Sequence, residues 1–335
     1  MRLFDPGGLT VDNGWAEFEE NCVFNRSTLA LASLIAVSIA AVGFAGEPRH
    51  HHPEQVINSR PVISLLPLEL DQPRRVLVRK DGSVVISDWG AGKVVAHKSG
   101  QTKVLADDLD QPSGLAEDAD GNIYVSLYAG GEPDKGGVLQ LSQLPGLKNW
   151  QRQTMASTLT GPTDIAVEAS GRITVAEYTA NRISQIRPDG SLEVGIAKLS
   201  TPSSVVVDRE GRLYATSSKT GTVVSIPSSG EPIVLCDGLN APSDLALDDQ
   251  DALVAVSYKS RSIVRIDSDK KSFKRIATVP AGTIGIAYQK DGNFVVVNWE
   301  LQTATKVTNR LLMDCPHCDG KIPVRLKPNL RRPIF

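Results

Sequence analysis

Between Leu70 and Thr308 the chain repeats one pattern six times at a period of about 40 residues, and no other feature limits its fold so tightly. A proline closes a short lead, as in LDQP, LTGP, LSTP and LNAP. An apolar strand follows, then an acidic turn that usually carries glycine, then a second strand, as in PSGLAEDADGNIYVS and PTDIAVEASGRITVAEY. With Pro73, Pro112, Pro162, Pro202, Pro242 and Pro280 as markers, the copies lie 39, 50, 40, 40 and 38 residues apart. Third strands are expected at 182–186, 222–226 and 262–266, and fourth strands at 192–197, 233–236 and 273–277. These runs alternate with period two or are wholly apolar, and the Gly and Pro spacing leaves no room for a helix of ten residues. Four antiparallel strands per unit make a propeller blade. The expected fold class is all-β, a six-bladed β-propeller of four-stranded blades.

The sixth copy shows only three strands, at 284–288, 294–298 and 303–307, before the pattern stops at Leu311. Ahead of the first marker, PVISLLPLELDQP aligns with TKVLADDLDQP. Residues 62–66 are therefore expected to supply the missing outer strand, so that an N-terminal strand closes the ring. This divides the chain into an N-terminal extension with an apolar segment (1–46), a linker (47–60), the propeller (61–308) and a C-terminal tail (309–335).

Lys and Arg number 36 against 38 Asp and Glu, a balance without the basic excess of a nucleic-acid surface. The run LALASLIAVSIAAVGF, residues 29–44, follows Arg26 and ends in small residues. It reads as a cleaved signal peptide or as a signal anchor, being of intermediate length. The acidic stretch before it (Asp5, Asp12, Glu17, Glu19, Glu20) suits a signal poorly, whereas translation from Val23 in a bacterium would give an ordinary one. Either way the expected location is extracytoplasmic, periplasmic or secreted, with membrane attachment only if the segment is retained.

Of the four cysteines, Cys236 occupies the place of Ala106, Ala156, Ala197 and Ala277 and is expected to be a buried core residue. Cys315 and Cys318 form a lone CxxC in the tail. A disulfide, an inert tail, or a zinc site completed by one of His50–His52 all stay open for them.

In a blade of this kind, the loop leading into the first strand and the loop joining the second to the third lie on one face, around the mouth of the central channel. Two residues after the marker, or at its counterpart before Ile-Ala in the sixth copy, the chain carries Arg75, Gly114, Asp164, Ser204, Asp244 and Gly285. Their second strands end in Asp88, Leu127, Glu177, Ser217, Ser257 and Asn298, and the next positions are Trp89, Tyr128, Tyr178, Ser218, Tyr258 and Trp299. One face is thus expected to gather Asp88, Asp164, Glu177, Asp244 and Asn298, with Arg75 opposed and an aromatic rim. Carboxylates with an amide oxygen suit Ca²⁺ or another divalent cation, and aromatics around a polar hole suit a small or carbohydrate ligand. The plainer alternative is that these are polar strand ends facing solvent.

AEYTANRISQIRPDGSLE and the pattern P-x-x-[IL]-A…DG-x-[IL]-Y-V resemble NHL repeats and the related gluconolactonase/SMP-30-like and virginiamycin-lyase-like propellers, over residues 62–308. The gluconolactonase-like resemblance implies a Glu/Asn/Asp metal set whose Glu starts the first blade, where this chain has Arg75. Asp244 and Asn298 remain as loose counterparts. The lyase-like resemblance implies a catalytic His, yet His97 alone lies within the repeats, on a third strand. Neither G-x-S-x-G nor a phosphate-binding loop is present.

Two functions from different classes follow. One is a monomeric binding module whose mouth face takes a protein, peptide or carbohydrate. The other is a divalent-metal-dependent hydrolase or lyase acting on a small lactone or sugar acid. Blade two also carries two insertions, AGGEPDKGG on the mouth face and SQLPGLKNWQRQ on the opposite one. The first is read as a flap or a neutral extension, and Trp150 in the second as packing down.

Overall fold

The computed structural model describes residues 62–308 apart from 147, 148, 230, 290 and 291, and the backbone of a short hairpin, Leu312–Asp314 with Lys321–Pro323. The readings for residues 1–61, Cys315 and Cys318 lie outside the described residues.

Six four-stranded antiparallel sheets follow one another along the chain. Their innermost strands are Pro73–Val78, Pro112–Glu117, Pro162–Val167, Pro202–Val207, Pro242–Leu247 and Thr283–Gln289. Each touches the innermost strand of the next blade, and that of blade six touches that of blade one, so the sheets close into a ring. The outer strand of blade six is Val62–Leu65, paired antiparallel with Thr303–Thr308 in a register that sets Val62 against Thr308 and Leu65 against Thr305. The expected closure is present.

Strand sequences that are apolar without alternation make sense in this arrangement, because both faces of a blade are covered by its neighbours. Val84–Asp88, Ile173–Glu177 and Leu253–Ser257 are buried along their whole length. The core is correspondingly a series of blade-to-blade layers. Between blades three and four, Ala176, Ile183 and Ala197 meet Val205, Ala215 and Val224. Between five and six, Val254, Val256 and Ile263 meet Ile286, Phe294 and Val296. Each Val, Ile or Phe side chain in these layers contributes about 1.5–3 kcal/mol when fully buried. Cys236 sits in the layer between blades four and five, and burial pushes its thiol up to about 11.

Two local devices explain the repeated motif. The acidic turn residue accepts backbone N–H groups two and four positions on: Asp208 Oδ1 from Glu210 and Arg212, and Asp248 Oδ1 from Gln250 and Ala252. This is the turn-forming use of Asp. At the other end, every innermost strand shifts register just after its first residue. Such a bulge re-aims the side chains that follow it. In blade six the position belongs to Thr283, opposite Asn298 as Pro73 is opposite Asp88. Pro280 lies three residues earlier, in the preceding loop. Thr283 replaces the proline by turning its own N–H and hydroxyl onto the Pro280 carbonyl, at 3.3 and 2.9 Å.

Candidate functional site: a plugged channel and an aromatic rim

The side chains two residues beyond the strand start form the innermost ring, and Arg75 occupies its centre. Its Nε lies 3.3 Å from Asp164 Oδ1 and 3.4 Å from Asp244 Oδ1. Its Nη2 donates to the carbonyls of Ser203 and Ser243, and its Nη1 to that of Arg74. Ser204 Oγ lies between the carboxylates, 2.6 Å from Asp164 Oδ2 and 2.9 Å from Asp244 Oδ1. Backbone N–H groups complete the acceptors, Val205 onto Asp164 and Ile286 onto Asp244.

The order around this ring is Arg, Gly, Asp, Ser, Asp, Gly, symmetric about a line from Arg75 to Ser204. The glycines flank the arginine where the adjacent blades and strands leave no room for a side chain. A Cβ on Gly114 would stand 2.6 Å from Asp164 Cα, and one on Gly285 would stand 2.7 Å from the Arg74 carbonyl oxygen.

All three charged residues of the cluster are at least 95% buried. Burial opposes the Arg75 charge, but the Asp244 and Asp164 carboxylates outweigh it and hold the guanidinium above its ordinary pKa. Burial dominates for the acids. It raises Asp164, and it raises Asp244 to about 7 despite the neighbouring guanidinium. The cluster thus plugs the channel, leaving beneath it a cavity of about 230 Å³ lined by innermost-strand residues of all six blades.

The ends of the second strands do something else. Asp88 Oδ1 accepts from the Asp71 N–H at 2.8 Å, and Glu177 Oε2 from the Thr160 N–H at 2.7 Å. Ser217 Oγ donates to the Ser200 carbonyl, Ser257 Oγ to the Asn240 carbonyl, and Asn298 Nδ2 to the Ala281 carbonyl. Every one of these partners lies 17 residues earlier, in the loop leading into the same blade. Glu177 is further held by Arg182 Nε and Nη2, each at 2.8 Å, and by Ser184. The five polar residues expected on one face therefore separate by partner. Asp164 and Asp244 join Arg75 at the channel centre, whereas Asp88, Glu177 and Asn298 brace loops.

The aromatic positions come together as a rim. Arg74 stacks on the Trp89 ring at 4.1 Å and on the Trp299 ring at 5.1 Å. Trp89 lies 4.9 Å from Tyr128 between ring centroids. Trp299 Nε1 donates to Tyr258 Oη at 3.3 Å, and Tyr258 donates to Glu300 at 2.9 Å. Tyr178, buried and hydrogen-bonded to Ser218, has its pKa raised by burial. Trp89, Tyr128, Tyr258 and Trp299 keep partial exposure. The blade-two insertion on this face starts as a short 3₁₀ turn, Ala129–Gly131, tied down by Gly130 N–H to Gln111 and Asp134 N–H to Thr160. It is an anchored extension of the rim.

Sequence reasoning passed over Arg74 and the hydroxyls that share its position in other blades. Ser113, Thr163, Ser203 and Ser243 each donate to a carbonyl of the next blade, at 2.7–3.1 Å, and stitch blades two to six together. Their signal was a hydroxyl residue directly after the marker proline in four copies. Among the described residues, no three His, Cys, Asp or Glu side chains form a group that could hold a metal ion.

No protein-family model matches the sequence, and no curated protein does. Solved structures do. A streptogramin B lyase superposes with a TM-score of 0.57 at 16% identity, over 74% of this chain and 97% of its own. A gluconolactonase from Xanthomonas campestris gives 0.60 at 15%, over 74% and 89%. An auxiliary nutrient binding protein from Bacteroides ovatus gives 0.62 at 12%, over 74% and 76%. The fold is that of the gluconolactonase-like and lyase-like propellers. At these identities the likeness concerns fold alone, and such propellers carry unrelated activities.

Proposed function

We propose that this propeller is an exported binding module that takes a carbohydrate or peptide on its aromatic rim, not a metal-dependent hydrolase. One observation carries the reading: the guanidinium of Arg75 already sits between the two carboxylates of the channel centre as their shared counter-ion. A divalent cation there would have to displace a buried, multiply hydrogen-bonded arginine, and removing one partner of such a cluster costs several kcal/mol. The Glu177 carboxylate is likewise committed to Arg182 and Ser184. Partly exposed Trp and Tyr rings around a channel mouth, fixed by Arg74 and by hydrogen bonds, supply rigid apolar area with polar edges, the usual make-up of a ligand platform.

Thermal melts of the intact protein with millimolar calcium, and with EDTA, separate the two readings. The binding module melts at the same temperature in both. A rise with calcium that Asp244→Ala abolishes would establish the hydrolase-type metal site instead.

A further inference from the structure

The second blade-two insertion builds a site of its own on the other face. In blade one, two residues (Ser99 and Gly100) connect the third strand to the fourth; in blade two, Gln143 to Trp150 make the same connection. Insertions that break a repeat tend to mark binding faces. Of its described residues, Trp150 packs against the layer between blades one and two and, with Gln143, lines one wall of a groove of about 350 Å³. The opposite wall is the outer hairpin of blade one, contributing Lys98, Gln101 and Lys103, with Arg79 at the base. Neighbouring blades diverge with distance from the channel axis, so a wedge opens between their outer strands.

The charges in the wedge are positioned and unbalanced. Arg79 Nε holds Glu117 at 2.7 Å, its Nη2 donates to the Gly121 carbonyl, and the guanidinium faces Trp150 at 5.5 Å. Lys98 Nζ pairs with Asp81 at 2.8 Å, and its hydrogen bond, with those from Ser83, pulls the Asp81 carboxyl well below its usual range. Those two pairs cancel. Lys103 is exposed, and among the described residues no carboxylate pairs with it. Among the described residues the groove therefore carries one excess positive charge beside the amides of Gln101 and Gln143. The channel cavity, with two carboxylates around one guanidinium, has the opposite preference.

We propose that this groove binds a small monoanionic, hydroxyl-rich ligand, a sugar acid, through Lys103 with the two glutamine amides. Its volume lies at the lower end of the roughly 300–1,000 Å³ of small-ligand sites, enough for one or two sugar rings.

The test is calorimetric titration of the full chain with galacturonate, with gluconate, with neutral galactose and with triglutamate. Expected are binding of at least one sugar acid that weakens as salt is added, no comparable binding of galactose, and a loss of about tenfold or more in Lys103→Glu. Lys103→Arg should retain the affinity. Both variants should melt as the parent does, and Trp89→Ala on the rim should leave this binding unchanged, which keeps failure here distinct from failure at the rim. Galactose binding as tightly as the acids in the Trp89→Ala variant, an unaffected Lys103→Glu, or no heat with either sugar acid would overturn the proposal. Lys103-dependent binding of triglutamate alone would overturn it in favour of an acidic peptide.

Discussion

Two rings of polar residues, one strand apart within each blade, look alike in sequence and behave oppositely in the fold. The ring of Arg75, Asp164, Ser204 and Asp244 is turned inward, and its members find one another across the channel from residues 40 or more positions apart. The ring of Asp88, Glu177, Ser217, Ser257 and Asn298 turns back on its own blade, each member serving a loop 17 residues upstream. The first holds blades to each other; the second shapes a blade. A carboxylate near a propeller mouth is therefore no evidence of a ligand site until its partner is known.

The sharpest way to break the contrast is Arg75→Met. Two buried carboxylates would lose their shared counter-ion, and chemical denaturation should show about 3–5 kcal/mol of lost stability. Adding Asp164→Asn and Asp244→Asn to that variant should restore much of it, because the charges then leave together. Glu177→Ala strikes the second ring. It strips acceptors from the Thr160 N–H, Ser184 and Arg182, at a cost of about 1–3 kcal/mol, and proteolysis should locate the loosening in the loop around Thr160.

The remaining effect is one of pH. The folded pKa of Asp244, at about 7, lies above its ordinary value of 3.8, so the folded state holds a proton that the unfolded state releases earlier. This group's contribution is present below about pH 4, declines as pH rises to about 7 and is flat above that. In Asp244→Asn the stability measured across that window should fall less steeply with pH; an unchanged slope would show that burial does not govern this carboxyl.

The blade count, the closing strand and the membership of both rings were legible in the sequence, because proline markers and Asp-Gly turns recur at fixed offsets and need only counting. The direction of the side chains was not. A bulge follows the first residue of every innermost strand, and period-two reasoning cannot carry a side-chain direction across it. Asp164 and Glu177 thus seemed neighbours of one site. The role of Arg75 was half visible: it stood where the gluconolactonase-like resemblance puts a metal-binding Glu, and the glycines at 114 and 285 were on the same alignment row. Only their packing against its neighbours explains why the three occur together.

The pairing of Val62 with Thr308 has a consequence for how the molecule comes into being. Five blades are complete as soon as their own short segments have emerged, since each is a run of local hairpins. The sixth is not, because its outer strand was made first and its other three last, with 246 positions between the paired ends. Closing so long a loop is slow relative to forming hairpins, and until it happens Thr303–Thr308 presents an unpaired edge to any passing strand. The propeller's clasp is thus made before its blades and can be fastened only after the last of them.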